Sequence, residues 1–391
     1  MKLLENYALQ SGQKIKKIEI LEKYYPTDCD KYVLIQPYSK PAKNFDYWDD
    51  VIEIIYPILK KHGISLIQVG SGNEKPLPHC NQLGGKTSLG QTFYLVSKAL
   101  LILTTDSFCS HLAGHYDIPR VILVSNNYSE CVSPYFGNSN KQIILEPNRT
   151  KRKPSFQLDE GPKKQIDEIR IEDIAKAVCQ QLNLVCDFPY KTLYIGETYQ
   201  SKILEMPSNA ITNISNLGAD SIVVRLDYEF NEKILELQMQ HCPVVIVTDK
   251  SINLELLKNY KPRIRQIFYI ITKSHNSVFA NGVRKLNIPL QLFSYLSENE
   301  LNTFKLEYLD IATILPKEIK TKENIKEIEG VPLEKLYYKS SKHILSQGKI
   351  YASKAAWLKN IPASTINQIA PIIDDPEYWK ECEYYTLLKH N

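Results

Sequence analysis

No apolar run of about 18 residues or more occurs in this sequence, so no segment reads as a transmembrane helix. The first residues, MKLLENYALQSGQKIKKIEILEKYY, carry acidic groups and no continuous apolar core, which is not the pattern of a signal peptide. Eight cysteines stand at positions 29, 80, 109, 131, 179, 186, 242 and 382, with no C-x-x-C pair and no zinc-finger spacing to histidine. They read as reduced thiols in a cytoplasmic protein with no structural metal. No G-x-G-x-x-G follows a predicted strand, and P-loop, H-E-x-x-H, G-x-S-x-G and EF-hand patterns are missing. That sets aside the chemistry each of those motifs supports. A dominant charge is lacking too: 48 basic against 44 acidic residues leave a net charge of +4. This permits an anionic ligand without requiring one.

What is present is an ordinary globular composition, 43% hydrophobic and 24% charged, over 391 residues, enough for two domains. The 25 tyrosines read as amphipathic filler before stacking surfaces. Strands and helices alternate through the first half. Tyr32 to Gln36 is a strand, followed by a loop carrying two prolines and Lys43. Tyr47 to His62 has helical periodicity, and Ile64 to Val69 is the next strand, running into Gly70-Ser71-Gly72-Asn73-Glu74. A helix over Gln91 to Ala99, a strand to Leu103, a helix over Ser110 to Tyr116 and strands at Arg120 to Val124 and Ile143 to Leu145 follow. Residues 147–168 read as a surface loop or linker, and Ile171 to Leu184 as a closing helix, with a boundary at Phe188-Pro189. Further β/α units continue to Phe293. Residues 311–391 read as two or three helices. The expected fold is therefore α/β: two Rossmann-like, doubly wound parallel-sheet domains, 1–187 and 188–310, with a helical C-terminal segment, 311–391. The halves share a pattern but no sequence repeat.

The stretch around which the rest is organised is Gly85 to Pro119. Its apolar strand ends in Thr104-Thr105-Asp106-Ser107, and His111 follows one helical turn later. A strand running into a polar turn that opens a helix is where open α/β sheets bind ligands. The free N–H groups of such a turn favour an anion. Asp106, Ser107 and His111 have the chemistry to hold a sugar, a ribose or a diphosphate. Asp and Ser are also ordinary helix caps, and a half-buried histidine is ordinary too. Cys109, in the same turn, reads as packing before nucleophile.

Residues 32–137 resemble the nucleotide-sugar-binding half of the heptosyltransferases, glycosyltransferase family 9, which have the GT-B fold. The resemblance rests on VLIQPYSKPAKNFDYW, LIQVGSGNE, LGGKTSLGQTFYLVSKALLILTTDSFCSHLAGHYDIPRVIL and VSPYF, in that order. It covers about a quarter of the chain. It implies that Lys43, Asp106, Ser107 and His111 lie around the donor's phosphates and sugar, with Glu74 near the nucleotide. It also implies metal-independent transfer with inversion to an acceptor hydroxyl, with no cofactor beyond the nucleotide-sugar substrate. The sequence departs from the family in two ways. Phe108 stands where the family has glycine, and the donor-like half comes first. A general base from the second half is then expected, with Glu197 and Asp249, at predicted strand ends, as the candidates. Both residues would serve equally as N-caps or surface carboxylates. Two other functions stay open: a non-catalytic binding or scaffold protein on a degenerate glycosyltransferase domain, and a different α/β enzyme such as an epimerase or phosphatase. The acceptor is a carbohydrate or another hydroxyl compound, and nucleic acid, as modified DNA bases, is left open.

Overall fold

The computed structural model describes the chain apart from residues 151, 162–163, 200, 213–218 and 220. Lys151, Pro162 and Lys163 of the predicted loop or linker thus lie outside the described residues. The chain divides into two compact units, Met1–Pro189 and Tyr190–Asn391. Among the described residues no helix is long and apolar enough to cross a membrane.

The first unit begins with α1 (Leu3–Ser11) and then alternates. Its strands are β1 (Tyr32–Gln36), β2 (Ser65–Gln68), β3 (Asn81–Gln82), β4 (Leu101–Thr105), β5 (Arg120–Leu123) and β6 (Gln142–Leu145). Its helices are α2 (Trp48–Lys61), α3 (Leu89–Lys98), α4 (Phe108–Tyr116), α5 (Ser129–Val132) and α6 (Ile171–Gln181). The strands form one parallel sheet in the order β3-β2-β1-β4-β5-β6. Val33, Leu34, Ile35, Leu101, Ile102 and Leu103 are fully buried, as strands covered on both faces must be. One face packs Leu34, Ile67 and Ile102 against Leu95 and Val96 of α3 and Leu112 and Ala113 of α4. On the other, α2 and α6 pack together. Ser88 starts α3 with a reciprocal capping box to Gln91. This unit is doubly wound, as expected. Its chain order reverses between β1 and β4, where such sheets open a crevice beyond the strand ends.

The second unit differs from expectation. Its larger sheet runs β13-β12-β11-β10-β9-β8-β15-β16. The strands are β8 (Ile203–Pro207), β9 (Ser221–Arg225), β10 (Val244–Thr248), β11 (Ile264–Ile270), β12 (Leu290–Ser294), β13 (Ile314–Pro316), β15 (Lys342–Ser346) and β16 (Lys349–Tyr351). From β8 to β13 each new strand is added on the same side. Right-handed crossovers then place every connecting helix on one face. Accordingly α7 (Glu232–His241), α8 (Leu254–Asn259), α9 (Ser277–Lys285) and α10 (Glu298–Tyr308) share a single core, through Leu235, Met239, Leu257, Phe279, Val283 and Leu301. The second parallel sheet is therefore singly wound over that run, not doubly wound.

The expected helical C-terminal segment is also corrected. The regular structure of residues 311–391 is mainly strand. β14 (Leu336–Ser340), β17 (Ala370–Pro371) and β18 (Tyr385–His390) join β7 (Tyr190–Ile195) in an antiparallel sheet ordered β17-β14-β18-β7. β15 and β16 extend the larger sheet, and only α11 (Lys354–Leu358) and α12 (Pro376–Trp379) are α-helical. The reason is periodicity: Leu336 to Ser340 alternates buried and half-buried, the two-residue period of a strand.

One cysteine expectation is overturned as well. Cys179 and Cys186 form a disulfide. After α6 the chain turns back through Asn183, whose φ is 55°, and this returns Cys186 to the helix end. The other six cysteines are free.

A buried ionic cluster ties the two sheets of the second unit together. Arg225 reaches Glu205 at 2.6 Å and Asp227 at 2.7 Å. Lys342 reaches Glu205 at 3.0 Å and Glu381 at 2.5 Å. The Tyr385 hydroxyl and the Lys354 N–H donate to the remaining Glu381 oxygen, each at 2.9 Å. Burial by itself lowers Lys342, but Glu205 and Glu381 hold its ammonium well above the ordinary lysine value. Removing one partner leaves an uncompensated buried charge. Lys342→Met is therefore expected to destabilise the second unit by about 3–5 kcal/mol, read as a lower urea midpoint. An unchanged midpoint overturns the assignment.

Candidate functional site

The crevice at the reversal between β1 and β4 collects residues from three separated stretches. Gln36 ends β1. Its backbone carbonyl accepts from the Thr104 hydroxyl at 3.0 Å, and its side-chain Oε1 accepts from the Ser107 hydroxyl at 2.6 Å and the Cys109 N–H at 3.3 Å. The carboxamide thus satisfies one N–H of the first turn of α4, a task more often done by the N-cap side chain. Ser107 makes no side-chain cap of its own. The N–H groups of Ser107 and Phe108 meet no acceptor among the described residues. The sequence reading missed Gln36; its one signal was a polar residue closing an apolar strand.

Lys43 lies in a short 3₁₀ turn after β1. Its Nζ contacts Asp106 Oδ2 at 2.5 Å and the Asp106 carbonyl at 3.4 Å. Asp106 is nearly buried and Lys43 about one-fifth exposed, so the pair sits at the rim of the crevice. The turn is held from many sides. Trp48 donates to the Pro37 carbonyl at 3.1 Å, and the Ala42 N–H to the Leu158 carbonyl at 3.0 Å. Ser125 donates to the Ala42 carbonyl at 3.3 Å and Lys164 to the Asn44 carbonyl at 2.5 Å. From the stretch 147–168, Leu158 and Lys164 thus brace the Lys43 turn. That stretch does not link the two units, which meet at residue 189.

His111 is one turn into α4 with its surface open to solvent. Crowding by neighbouring groups nonetheless lowers it below the ordinary imidazole value; Asp106 pulls it up, and Lys43 and Lys2 push it down. At neutral pH it is uncharged, a hydrogen-bonding group. Glu74 folds back over Gly70, whose φ is +154°, so closely that any side chain there would collide with the carboxylate. Glu74 Oε1 accepts the Ser71 N–H at 2.9 Å. Its Oε2, like Thr105 Oγ1, is buried without a hydrogen-bond partner among the described residues. Glu74 also belongs to the group of acids whose field, after burial, pushes the Tyr38 phenol up to about 12. Phe108 does not enter this crevice; it turns to meet Phe93 edge-on at 6.4 Å. Cys109 is fully buried and its thiol is pushed up by that burial, as packing requires.

The two carboxylates named as bases are in the second unit. Glu197 follows β7 of the antiparallel sheet, not a parallel strand, and is exposed. Asp249 follows β10 in the parallel sheet, and its Oδ1 is buried without a hydrogen-bond partner among the described residues. Asp227, also at a strand end, is taken up by Arg225. Among the described residues no group of three or more His, Cys, Asp or Glu stands ready to hold a metal ion.

No protein-family model and no curated protein matches the sequence. Solved structures do. ADP-heptose lipopolysaccharide heptosyltransferase II of E. coli is similar over 46% of this chain and 50% of its own, at 16% identity and a TM-score of 0.32. A family 9 glycosyltransferase from Veillonella parvula is similar over 46% and 50%, at 19% identity and a TM-score of 0.31. The iron-containing dodecameric glycosyltransferase TibC of enterotoxigenic E. coli is similar over 43% and 50%, at 15% identity and a TM-score of 0.33. The chain spans about half the length of each. They are heptosyltransferases or family 9 enzymes, the group that the sequence of the first unit resembles.

The carboxylate beneath the Lys43 turn gives a pH test. Asp167 Oδ1 accepts the Asp46 N–H at 2.8 Å, and Lys164 bonds Asp46. Burial, then the Asp46 charge, raises Asp167 to about 7. The folded state therefore holds a proton there that the unfolded chain releases near pH 4. Stability is expected to fall as pH rises from about 4 through 7. Asp167→Asn should flatten that decline and raise the melting temperature at pH 8. A variant that melts lower than wild type at pH 8 contradicts it.

Proposed function

We propose that this chain is a glycosyltransferase whose first unit binds a nucleotide-sugar donor in the β1/β4 crevice. The observation that carries the reading is the convergence of Lys43, Asp106, Ser107 and His111 at the chain reversal of a parallel sheet, beside two unused N–H groups of a helix start. Those groups suit a diphosphate. Its charge meets a lysine and the positive end of α4, with no requirement for a metal. On binding, Lys43 exchanges Asp106 for phosphate oxygens, and the freed Asp106 carboxylate accepts from sugar hydroxyls. Neutral His111 adds a hydrogen bond at the same end. Glu74, with an unsatisfied buried oxygen, is assigned to the ribose or base of the nucleotide.

In the transfer, the acceptor oxygen attacks the anomeric carbon as the nucleoside diphosphate leaves, so configuration inverts. Stabilising the departing diphosphate is the task of Lys43 and the α4 N–H groups. The acceptor proton goes to a carboxylate. Asp249 is the better of the two candidates because its Oδ1 lacks a partner among the described residues, whereas Glu197 is exposed. The acceptor is a hydroxyl compound, with carbohydrate the first class to try.

Thermal-shift measurements against nucleoside diphosphates and nucleotide sugars, ADP-heptose included, test this. A ligand that binds the native state raises its melting temperature. One nucleotide is expected to do so equally with and without chelator. Lys43→Ala should weaken it by about tenfold to a hundredfold, the loss of a charge-assisted hydrogen bond. No shift with any compound would turn the reading to a non-catalytic scaffold.

A further inference from the structure

Beside the crevice, within the first unit, lies a second cavity that the donor reading does not use. It is a cleft of 660 Å³ between α1, residues 18–21, α3, α4 and the loop at 131–136. Its walls are mainly apolar, including Leu4, Ile20, Phe93, Phe108 and Tyr135. Leu4, Phe108 and Tyr135 leave 38–40% of their surface exposed there. Such an open apolar lining marks a binding surface.

The roof of this cleft is loosely built. None of the residues of α1 is buried. The segment is pinned at its far end, where the Lys23 N–H donates to the Gly90 carbonyl at 2.9 Å and Ser97 to Glu22 at 3.0 Å. At its near end Lys2 Nζ donates to the Pro134 carbonyl at 2.7 Å. Between these points it arches over the cleft without filling it. The helix presents apolar side chains to a space that the protein itself leaves open.

Charge selects the occupant. Lys2 and His111 lie in the wall. The Lys2 ammonium has a carbonyl partner and lies 5.8 Å from the centre of the Tyr135 ring, with no carboxylate at ion-pair distance among the described residues. Lys2 and His111 give this end of the cleft an ammonium and a hydrogen-bonding imidazole. Glu19 is the one carboxylate in the wall. The volume falls in the range of small-molecule sites, about 300–1,000 Å³.

We infer that the cleft binds a single-chain amphiphile, with its alkyl chain under α1 and an anionic head at Lys2 and His111. The site shares only His111 with the donor crevice and does not rest on the glycosyltransferase reading.

Calorimetric titration of the full chain with octanoate, decanoate and dodecanoate below their micellar concentrations tests this, with dodecyltrimethylammonium as the cationic counterpart. Affinity should rise about fourfold per added methylene, and the cationic probe should bind about tenfold more weakly than dodecanoate. Leu4→Asp and Phe108→Asp, both at exposed positions, should each cost about tenfold in dodecanoate affinity. Lys2→Glu should erase the preference for the anionic head. Circular dichroism and melting establish that the variants fold. Binding that ignores chain length, equal binding of the cation, or no binding by the folded protein would overturn the inference. So would a dimer, seen by light scattering, that Leu4→Asp disperses while dodecanoate leaves no heat. Nucleotide thermal shifts on the same variants read the donor site separately.

Discussion

The carboxamide of Gln36 joins the end of β1 to the first turn of α4, and the candidate site depends on that link. β1 and β4 are neighbours because the chain reverses its winding between them. The reversal leaves a crevice, but a crevice alone sets no side chain in place. Gln36 takes up the Ser107 hydroxyl and the Cys109 N–H, and the N–H groups of Ser107 and Phe108 stay without an acceptor among the described residues. The Lys43 turn is then clamped by four hydrogen bonds, to Ser125 after β5, to Leu158 and Lys164, and from Trp48 of α2. Geometry held in this way before a ligand arrives lowers the ordering cost of binding. The strong groups, Lys43 and Asp106, meanwhile neutralise each other at the rim.

The second unit is held by different means. Five buried charged groups, from β8, β9, β15 and the segment before β18, satisfy one another in one cluster. Ions buried in this way contribute modestly to net stability compared with an apolar replacement. Their effect is to make one docking of the antiparallel sheet against the parallel one far better than any other, because a shifted arrangement strands a charge.

The first unit was legible in the sequence for a physical reason. Strands such as Tyr32–Gln36 and Leu101–Thr105 are covered on both faces, so they read as unbroken apolar runs between capped helices. The meeting of Lys43 with Asp106, next to Ser107 at the sheet's reversal, was legible because the motifs follow one another in the order of the strands that carry them. Winding direction in the second unit was not: a βαβ unit that continues and one that reverses have the same residue pattern. The tail was misread because LYYKSSKHILS supplies apolar residues at spacings that fit a helix as well as a strand, and only pairing with β18 and β8 decides between them. The Cys179–Cys186 bridge escaped because its seven-residue spacing resembles no motif and depends on a left-handed turn at Asn183. Gln36 escaped because one polar residue carries no spacing at all.

The pairing of β7 with β18 has a kinetic consequence. β7 is an edge strand whose one neighbour in the sheet is β18, and about two hundred residues separate the partners. Contacts that distant are slow to form, because the chain entropy of closing the loop is lost before any pairing energy is gained. On the ribosome β7 emerges early and waits, its hydrogen-bonding edge bare, until the last strand is released. The second unit thus completes its folding only when synthesis has passed residue 390, and any truncation upstream of β18 exposes a strand edge that seeks other partners.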